Sequence, residues 1–364
     1  MIENLLSKFS YDMWVALAIL AGLLAWAFAK GRKDPRSKKA PRSREQRETT
    51  QRPHDESPQS QTDSSPDEKP RAVQKGSTDE FTSAKRDIVA SREPSDPFKP
   101  RIKGPHSDLS TSVEAQLLAP GMVYALAYGD YLNSFGLSDS RGITKMLKRD
   151  WDITDRSTLL RQIYSMLRDG HRSYYNDLRK KALDLAASQT LVNPGFPKSR
   201  WRELYRFIND ERGLQTTNFT AWDLMRAANL TRAGEGLGWM TRDEAEDTLA
   251  LINHGLRTTY SSWEEACDAF IVTRWLWLNE EGEAMEASDL HDQRRREALV
   301  GPNGVWNKIP WDGTYPSPRY LLLDASDENF QLNPMSRFEW EDAPRWEREL
   351  DDESHKRIQE RKER

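Results

Sequence analysis

Apolar residues recur at helical spacing over residues 220–278, where the pattern is clearest. Apolar side chains three and four positions apart fall on one face of a helix, so this stretch predicts three helices. A Ser or Thr followed three residues later by Glu is typical of a helix start, and it occurs at Thr241 with Glu244 and at Ser262 with Glu265. The predicted buried faces are formed by Leu224, Ala227, Ala228 and Leu230, by Ala245, Leu249, Ile252 and Leu256, and by Ala266, Phe270 and Trp277.

The same spacing continues on the N-terminal side. Further amphipathic helices are predicted near residues 142–150, 155–168, 171–187 and 201–208. The buried face of the last one is predicted to contain Trp201, Leu204, Tyr205 and Ile208. No run alternates with period two before Gly304, after which short extended pieces are an alternative around Val305, Ile309 and residues 320–323. We therefore predict an all-α fold, a compact multi-helix domain over residues 112–325.

An uninterrupted apolar run extends from Met13 to Ala29. At about 1.5 Å per residue, such a helix covers most of a hydrocarbon core about 30 Å thick. Several lysines and arginines follow it, and basic residues mark the cytoplasmic side of a membrane helix. The run predicts one transmembrane helix over residues 13–30, which contacts the lipid bilayer through residues 13–29.

The resulting topology is that of a single-pass protein of the bacterial inner (cytoplasmic) membrane. Residues 1–12 form a short external N-terminus, and the C-terminal domain lies in the cytoplasm. A cleaved signal peptide is the alternative, because Ala27-Phe28-Ala29 resembles a cleavage site. The acidic residues before the apolar run and the basic stretch after it argue against export.

Polar segments flank the predicted domain. Residues 31–111 are dense in charged and small polar residues and predict a disordered linker that is basic at its start. Residues 326–364 are also highly charged, which predicts a solvated helix or a disordered tail.

Composition restricts the classes of function. The chain has 364 residues, and its formal net charge of -4 gives no reason to expect a nucleic-acid partner. Cys267 is the only cysteine, which excludes a disulfide framework and a cysteine zinc site. The six histidines are scattered without HExxH spacing, and no GxSxG element occurs. We predict neither a metal nor a cofactor.

Six short motifs occur in an order that resembles the uncharacterised bacterial YbeU/YbeR-like family, domain of unknown function 1266. They are WDITDRSTLL (151–160), LRDGHR (167–172), AWDLMRA (221–227), MTRDEAEDTL (240–249), SSWEEACDAFIVTRWLW (261–277) and IPW (309–311). The resemblance covers about residues 151–311 and implies a mostly helical bacterial domain. In some members of the family this domain is encoded among secretion-system or polymorphic-toxin genes. The resemblance brings no established reaction, and the predicted anchor and linker lie outside it.

The motif residues that the resemblance singles out combine aromatic, charged and capping side chains. They are Trp151, Gly170, His171, Arg172, Trp222, Asp223, Arg226, Ser262, Trp263, Arg274 and Trp277. Charged residues in apolar helices are unusual and persist in an interior only when they are paired. Asp223 and Arg226 lie three residues apart on one helical face, so they can pair with each other or with neighbouring helices.

Two interpretations of these residues are open. In the first, His171 transfers a proton, Arg172 and Arg226 bind an anionic substrate, and Asp223 orients the histidine. In the second, His171 bonds a free carbonyl at the end of the preceding helix, and the charged residues form a salt-bridge network that fixes helix register.

The sequence therefore leads to two hypotheses of function. The first is a membrane-anchored cytoplasmic interaction module that binds a protein partner of unknown identity, with a link to secretion-system or toxin/immunity genes through the family resemblance. The alternative is an enzyme that uses His171, Arg172, Asp223 and Arg226 for acid–base chemistry on an anionic substrate.

Overall fold

A computed structural model describes residues 98–104, 108–188, 198–325 and 330–363. Regular structure within those ranges is helical, with one isolated β-bridge and no strand. The α-helices are α1 (Val113–Leu118), α2 (Met122–Tyr128), α3 (Ser140–Trp151), α4 (Arg156–Arg168), α5 (Gly170–Ser188), α6 (Lys198–Ile208), α7 (Thr220–Gly236), α8 (Arg242–Thr259), α9 (Trp263–Leu278), α10 (Gly282–Val300), α11 (Leu321–Asp324), α12 (Arg337–Asp342) and α13 (Arg345–Lys362). The predicted all-α, compact domain is confirmed for this part of the chain.

Helix α7 lies at the centre of the fold. Every residue from Thr220 to Gly234 is buried, and the helix packs against α4, α5, α8 and α9. A helix that is covered on all sides has no solvent-facing stripe for its polar residues. Asp223, Arg226 and Arg232 are therefore interior charges that need partners within the fold.

The two predicted helix starts around α8 and α9 are present. Thr241 and Glu244 form a reciprocal capping box at the start of α8. Ser262 accepts the Glu265 backbone N–H at 3.1 Å, while the Glu265 carboxylate accepts the N–H of Ser261, one residue earlier than the standard box. These caps satisfy amide groups that a helix cannot bond internally.

The buried apolar residues form two clusters. The larger lies around α7 and α8 and includes residues from most of the other helices. The smaller joins α5, α6 and the C-terminal half of α9 through Tyr175, Leu178, Ala182, Leu204, Phe207, Leu214, Phe219, Trp275 and Leu276. This smaller cluster holds α6 against α5 and α9.

The packed part of the chain begins before the predicted boundary at residue 112. Phe98 is only 1% exposed, with its ring against His291, and Leu109 is 5% exposed. A segment that is polar on average can still contain single large apolar residues, and these are buried where the fold provides a groove for them. The prediction of a disordered linker is therefore wrong for residues 98–104 and 108–111, and its remainder lies outside the described residues.

The charged C-terminal segment is part of the core. Helix α13 confirms the predicted helical alternative, but the predicted solvation is wrong, because Trp346 and Leu350 are completely buried. With Ser354, these residues recur every four positions and form a narrow buried stripe along a helix that is otherwise charged. Phe330, ahead of α12, is buried as well.

The alternative of short extended pieces after Gly304 is wrong for Val305 and for residues 321–323, although the backbone of Ile309 is extended. Val305–Lys308 forms a 3-10 turn, and residues 321–324 form α11. The predicted transmembrane helix and external N-terminus lie outside the described residues. Among the helices that the structure describes, none is both long and apolar enough to cross a bilayer.

Candidate functional site

The four candidate catalytic residues lie together. Asp223 belongs to the first turn of α7, and its carboxylate faces the start of α5, which carries His171 and Arg172. Arg226, one turn further along α7, places Nη1 3.7 Å from the carboxylate. We call Gly170, His171, Arg172, Asp223 and Arg226 the Asp223 cluster. Their positions in the sequence left this convergence open.

Asp223 accepts backbone hydrogen bonds from the start of α5. Its Oδ1 accepts the His171 N–H at 2.8 Å, and its Oδ2 accepts the Arg172 N–H at 2.9 Å. A helix N-terminus has free amides and a partial positive charge, so it binds a carboxylate readily. Gly170 makes the approach possible, because it has a φ of +56° and a Cβ there would collide with the carboxylate.

Arg172 joins the start of α5 to two other helices. Its Nη1 and Nη2 donate to the carbonyls of Met166 and Leu167 at 2.6 and 2.7 Å, and its Nε donates to Glu347 at 2.8 Å. Free carbonyls at a helix C-terminus are commonly bonded by a basic side chain. Each of the three guanidinium nitrogens of Arg172 therefore has an acceptor in α4 or α13.

The His171 ring is held by Arg226. Nη1 of Arg226 lies 2.9 Å from His171 Nδ1, and the guanidinium lies over the rings of Trp151 and Trp222. Arginine can only donate, so Nδ1 must accept and the neutral ring carries its proton on Nε2. Nδ1 lies 3.8 Å from Asp223, too far for a hydrogen bond.

Both sequence-based roles of His171 therefore need correction. Asp223 holds the backbone of His171 and does not orient its ring. The ring does not bond a carbonyl at the end of α4 either, because Arg172 occupies that position. The histidine is an acceptor for a buried arginine.

Burial has opposite effects on the two titratable groups of the cluster. It raises the pKa of Asp223, while Arg172, Arg226 and the two backbone N–H groups oppose that rise. Every neighbour of the carboxylate is a donor, which favours the ionised form. Burial, and to a lesser extent Arg226, lowers the pKa of His171 to about 3. Since 35% of this side chain touches solvent, screening reduces the shift but leaves its direction.

The cluster has little free hydrogen-bonding capacity for a substrate. Both Asp223 oxygens and all three nitrogens of the Arg172 side chain are occupied, and Arg172 and Arg226 are at least 90% buried. Arg226 makes one hydrogen bond, through Nη1, and packs on two tryptophan rings. Gly170 and the edge of His171 reach solvent. The geometry is that of a salt-bridge network that fixes α5 against α4, α7 and α13.

Arg274 belongs to a separate network. It donates to Asp292 at 2.6 Å, and Arg295 donates to the other oxygen of the same carboxylate at 2.8 Å. All three residues are buried, so this network ties α9 to α10. The structure therefore assigns Arg274 to a helix contact apart from the Asp223 cluster.

The remaining aromatic motif residues pack in the core. Trp263 stacks on Trp306 with ring centroids 5.1 Å apart, and its Nε1 donates to the carbonyl of Ile309 at 3.0 Å. Trp277 lies against Trp222 at 5.4 Å. The motifs that contain these tryptophans are thus contact partners within the folded domain.

An open pocket lies beside the smaller apolar cluster, between α6 and the start of α10. Its volume is about 590 Å³. We call it the α6–α10 pocket, and it is lined by Trp201, Arg202, Tyr205, Arg206, Glu211, Glu281, Gly282 and Met285. Within the described residues, no group of three or more His, Cys, Asp or Glu side chains is arranged to hold a metal ion.

Sequence reasoning missed this pocket because it placed Tyr205 on the buried face of α6. The structure buries Leu204 and Phe207 completely and leaves Tyr205 54% exposed. The arginines at 200 and 202, on either side of Trp201, were the available signal, because they indicate that part of this face meets solvent. Glu347 was also missed, since it lies in the segment that was predicted to be solvated.

Comparison with known proteins shows which family this part of the chain matches. Residues 146–311 match the family described as Protein of unknown function (DUF1266). These residues belong to the DUF1266 family. The chain is also similar to "Uncharacterized protein YbeU" of Escherichia coli (strain K12), with 27% identity over 188 residues that cover 45% of this chain and 75% of that protein. No solved structure matches the chain.

The DUF1266 segment contains the Asp223 cluster and the lining of the α6–α10 pocket. It ends before Glu347 and α13, so one acceptor of Arg172 comes from outside the matched residues. The predicted family range, about residues 151–311, is confirmed.

Proposed function

We propose that this protein is a membrane-anchored interaction module whose DUF1266 domain binds a protein partner through the α6–α10 pocket. The observation that supports it is the pocket itself, where an exposed tyrosine stands beside a tryptophan and a methionine on the domain surface. Exposed aromatic side chains next to a cavity are typical of protein-binding surfaces. The Asp223 cluster, by contrast, is filled by its own side chains.

The proposed anchor gives the domain access to partners near the bilayer. A flexible tether of about 65 residues, between the proposed anchor and residue 98, has a root-mean-square reach of about 45 Å. We propose that residues 13–30 form the anchor and that the partner is a component of a secretion system or a toxin/immunity pair, as the family resemblance implies. A reporter fused after Arg44 tests the anchor, because the proposal requires cytoplasmic activity and a periplasmic signal would contradict it.

Site-specific photo-crosslinking tests the interaction. We would replace Tyr205 with a photoreactive phenylalanine derivative in the full-length chain and irradiate living cells. The matched control carries the same derivative at Trp340, a 38% exposed aromatic residue on α12. The proposal requires a defined protein adduct at position 205 that is absent at position 340. Identical products at both positions, or no adduct at 205, would contradict it.

A further inference from the structure

We propose that the α6–α10 pocket recognises a short peptide segment in which a basic side chain stands next to an apolar one. This inference rests on the proposed interaction function and names the chemistry of the partner. It is based on two properties of the pocket: its apolar wall and the charge that remains available at its rim.

The apolar wall is formed by α6 and the start of α10. Tyr205 is 54% exposed, and the half-buried Trp201 and Met285 complete the surface. A large exposed ring beside two partly covered apolar groups gives a peptide side chain an area from which to displace water. Met285 also adapts its shape to different side chains.

The arginines of the pocket are occupied by the protein itself. Arg202 donates to the Asn279 carbonyl at 2.5 Å and to the Glu281 carboxylate at 2.6 Å. Arg206 stacks on Trp275 at 4.1 Å from the ring centroid and donates to a backbone carbonyl of the neighbouring loop. Neither guanidinium offers a free charge to an anionic ligand.

Carboxylates at the rim remain available. Glu211 has a 41% exposed side chain, and its nearest cation is Arg206 Nε at 3.7 Å. Glu283 and Glu286, on the same turns of α10 as Met285, are exposed and form no ion pair with a described residue. The charge that a partner meets is therefore negative, and an acidic rim beside exposed aromatic rings suits a lysine or arginine side chain.

A short peptide offers both properties at once, because adjacent side chains on one backbone place a basic group beside an apolar one. Arg206 also lines the pocket, but its unpartnered Nη1 is buried, so it is not available to a ligand.

Fluorescence anisotropy with the purified full-length chain tests the inference. The probes are labelled pentapeptides: Gly-Lys-Leu-Lys-Gly, the same sequence with Glu in place of Lys, and the same sequence with Ser in place of Leu. We expect the lysine–leucine peptide to bind at least tenfold more tightly than the other two. Equal affinity for the lysine and glutamate peptides, or tighter binding of the glutamate peptide, would overturn the charge assignment.

Variants locate the binding. Tyr205→Ala removes the exposed ring, and Glu211→Lys reverses the rim charge, so each should weaken the lysine–leucine peptide at least tenfold. Asp352→Lys is the control, because it makes the same charge change at an exposed position of α13, which does not line the pocket. Equal affinities for Tyr205→Ala and Asp352→Lys would place any binding elsewhere and overturn the inference.

The two proposals fail in different ways. If none of the peptides binds while position 205 still crosslinks to a defined partner in cells, the peptide chemistry is wrong and the interaction function stands. If position 205 also gives no adduct, both proposals are wrong.

Discussion

The Asp223 cluster and the α6–α10 pocket are built from the same kinds of residue: arginines, acids and aromatic side chains. They differ in how far their polar groups are satisfied within the fold. In the cluster, the carboxylate of Asp223 receives two backbone N–H groups and lies among two arginines. In the pocket, the carboxylate of Glu211 is partly exposed and keeps unused hydrogen-bonding capacity. This difference indicates that the first region holds the domain together, and it supports the proposal that the second binds a partner.

The comparison also explains why the proposed binding surface lies outside the motif residues. The DUF1266 motifs bring together Gly170, His171, Asp223 and Arg226, which fix helices in place. The exposed ring of Tyr205 lies within the family segment but outside the motifs that carry the resemblance.

The largest expected effect is that of Asp223→Ala. The change leaves two α5 amides without their acceptor and two buried arginines without their shared carboxylate. Removing one partner from a buried ion pair costs about 3–5 kcal/mol of unfolding free energy. Urea denaturation measures it, with Glu211→Ala as the control that should change stability by less than about 0.5 kcal/mol. A loss of unfolding free energy below about 1 kcal/mol for Asp223→Ala would contradict the structural role of the cluster and make it a candidate binding site again.

A smaller effect is expected for Gly170→Ala. Both Gly170 and Gly238 have positive φ angles, +56° and +74°, but only at Gly170 would a Cβ meet the Asp223 carboxylate. Gly238→Ala should therefore cost only the backbone strain, about 1 kcal/mol. Gly170→Ala adds the collision with the Asp223 carboxylate, so it should lower the melting temperature by more than Gly238→Ala does. Equal melting temperatures for the two variants would mean that the carboxylate does not need this close approach.

Glu347→Ala tests the contribution of the C-terminal helix. It removes the acceptor of Arg172 Nε, and a hydrogen bond to a charged group contributes about 1.5–3 kcal/mol. Glu349→Ala, on the same helix, removes partly exposed pairs with Arg345 and with His254 of α8, and surface pairs contribute at most about 1 kcal/mol each. Thermal unfolding of the two variants compares these contributions, and a larger loss for Glu349→Ala would contradict the placement of α13.

The smallest expected effect is a pH dependence from His171. Its folded-state pKa lies below the value of 6.5 for an unfolded chain, so the unfolded state binds the extra proton. The stability that this group contributes is complete above about pH 6.5 and falls as the pH is lowered towards 3. The slope cannot exceed about 1.4 kcal/mol per pH unit, and solvent at the exposed edge reduces it.

Denaturation at pH 7, 6 and 5 measures that slope for the parent chain and for His171→Gln. We expect the parent to lose stability more steeply, since only the parent carries the titrating ring. Equal slopes would show that the ring titrates normally. The enzyme alternative makes a different prediction, namely that His171→Ala leaves folding almost intact and abolishes the cellular phenotype.

The helices of this fold could be predicted wherever the apolar pattern is dense. Helices α7, α8 and α9 were predicted from the spacing of apolar residues and from the caps at Thr241 and Ser262. Helix α13 was misjudged as solvated, because only Trp346 and Leu350 mark its buried face among many charges.

The site could be predicted only as a set of residues. His171, Arg172, Asp223 and Arg226 were singled out as charges in apolar surroundings, but spacing along the chain does not give their bonds. The sequence has no signature for the backbone N–H groups that donate to Asp223. It has none for the capping of α4 by Arg172 either. The pocket depends on how α6 is rotated about its own axis. The single-face pattern placed Tyr205 on the buried face, but the structure leaves its side chain exposed.

Hydrogen exchange at the amides of His171 and Arg172 tests the central claim most directly. The first amides of a helix have no intrahelical acceptor and normally exchange quickly. If the Asp223 carboxylate holds both in the interior, they should exchange as slowly as amides in the middle of α7, through global unfolding only. Exchange at the rate of ordinary helix N-terminal amides would show that the cluster opens independently, and it would contradict a purely structural role.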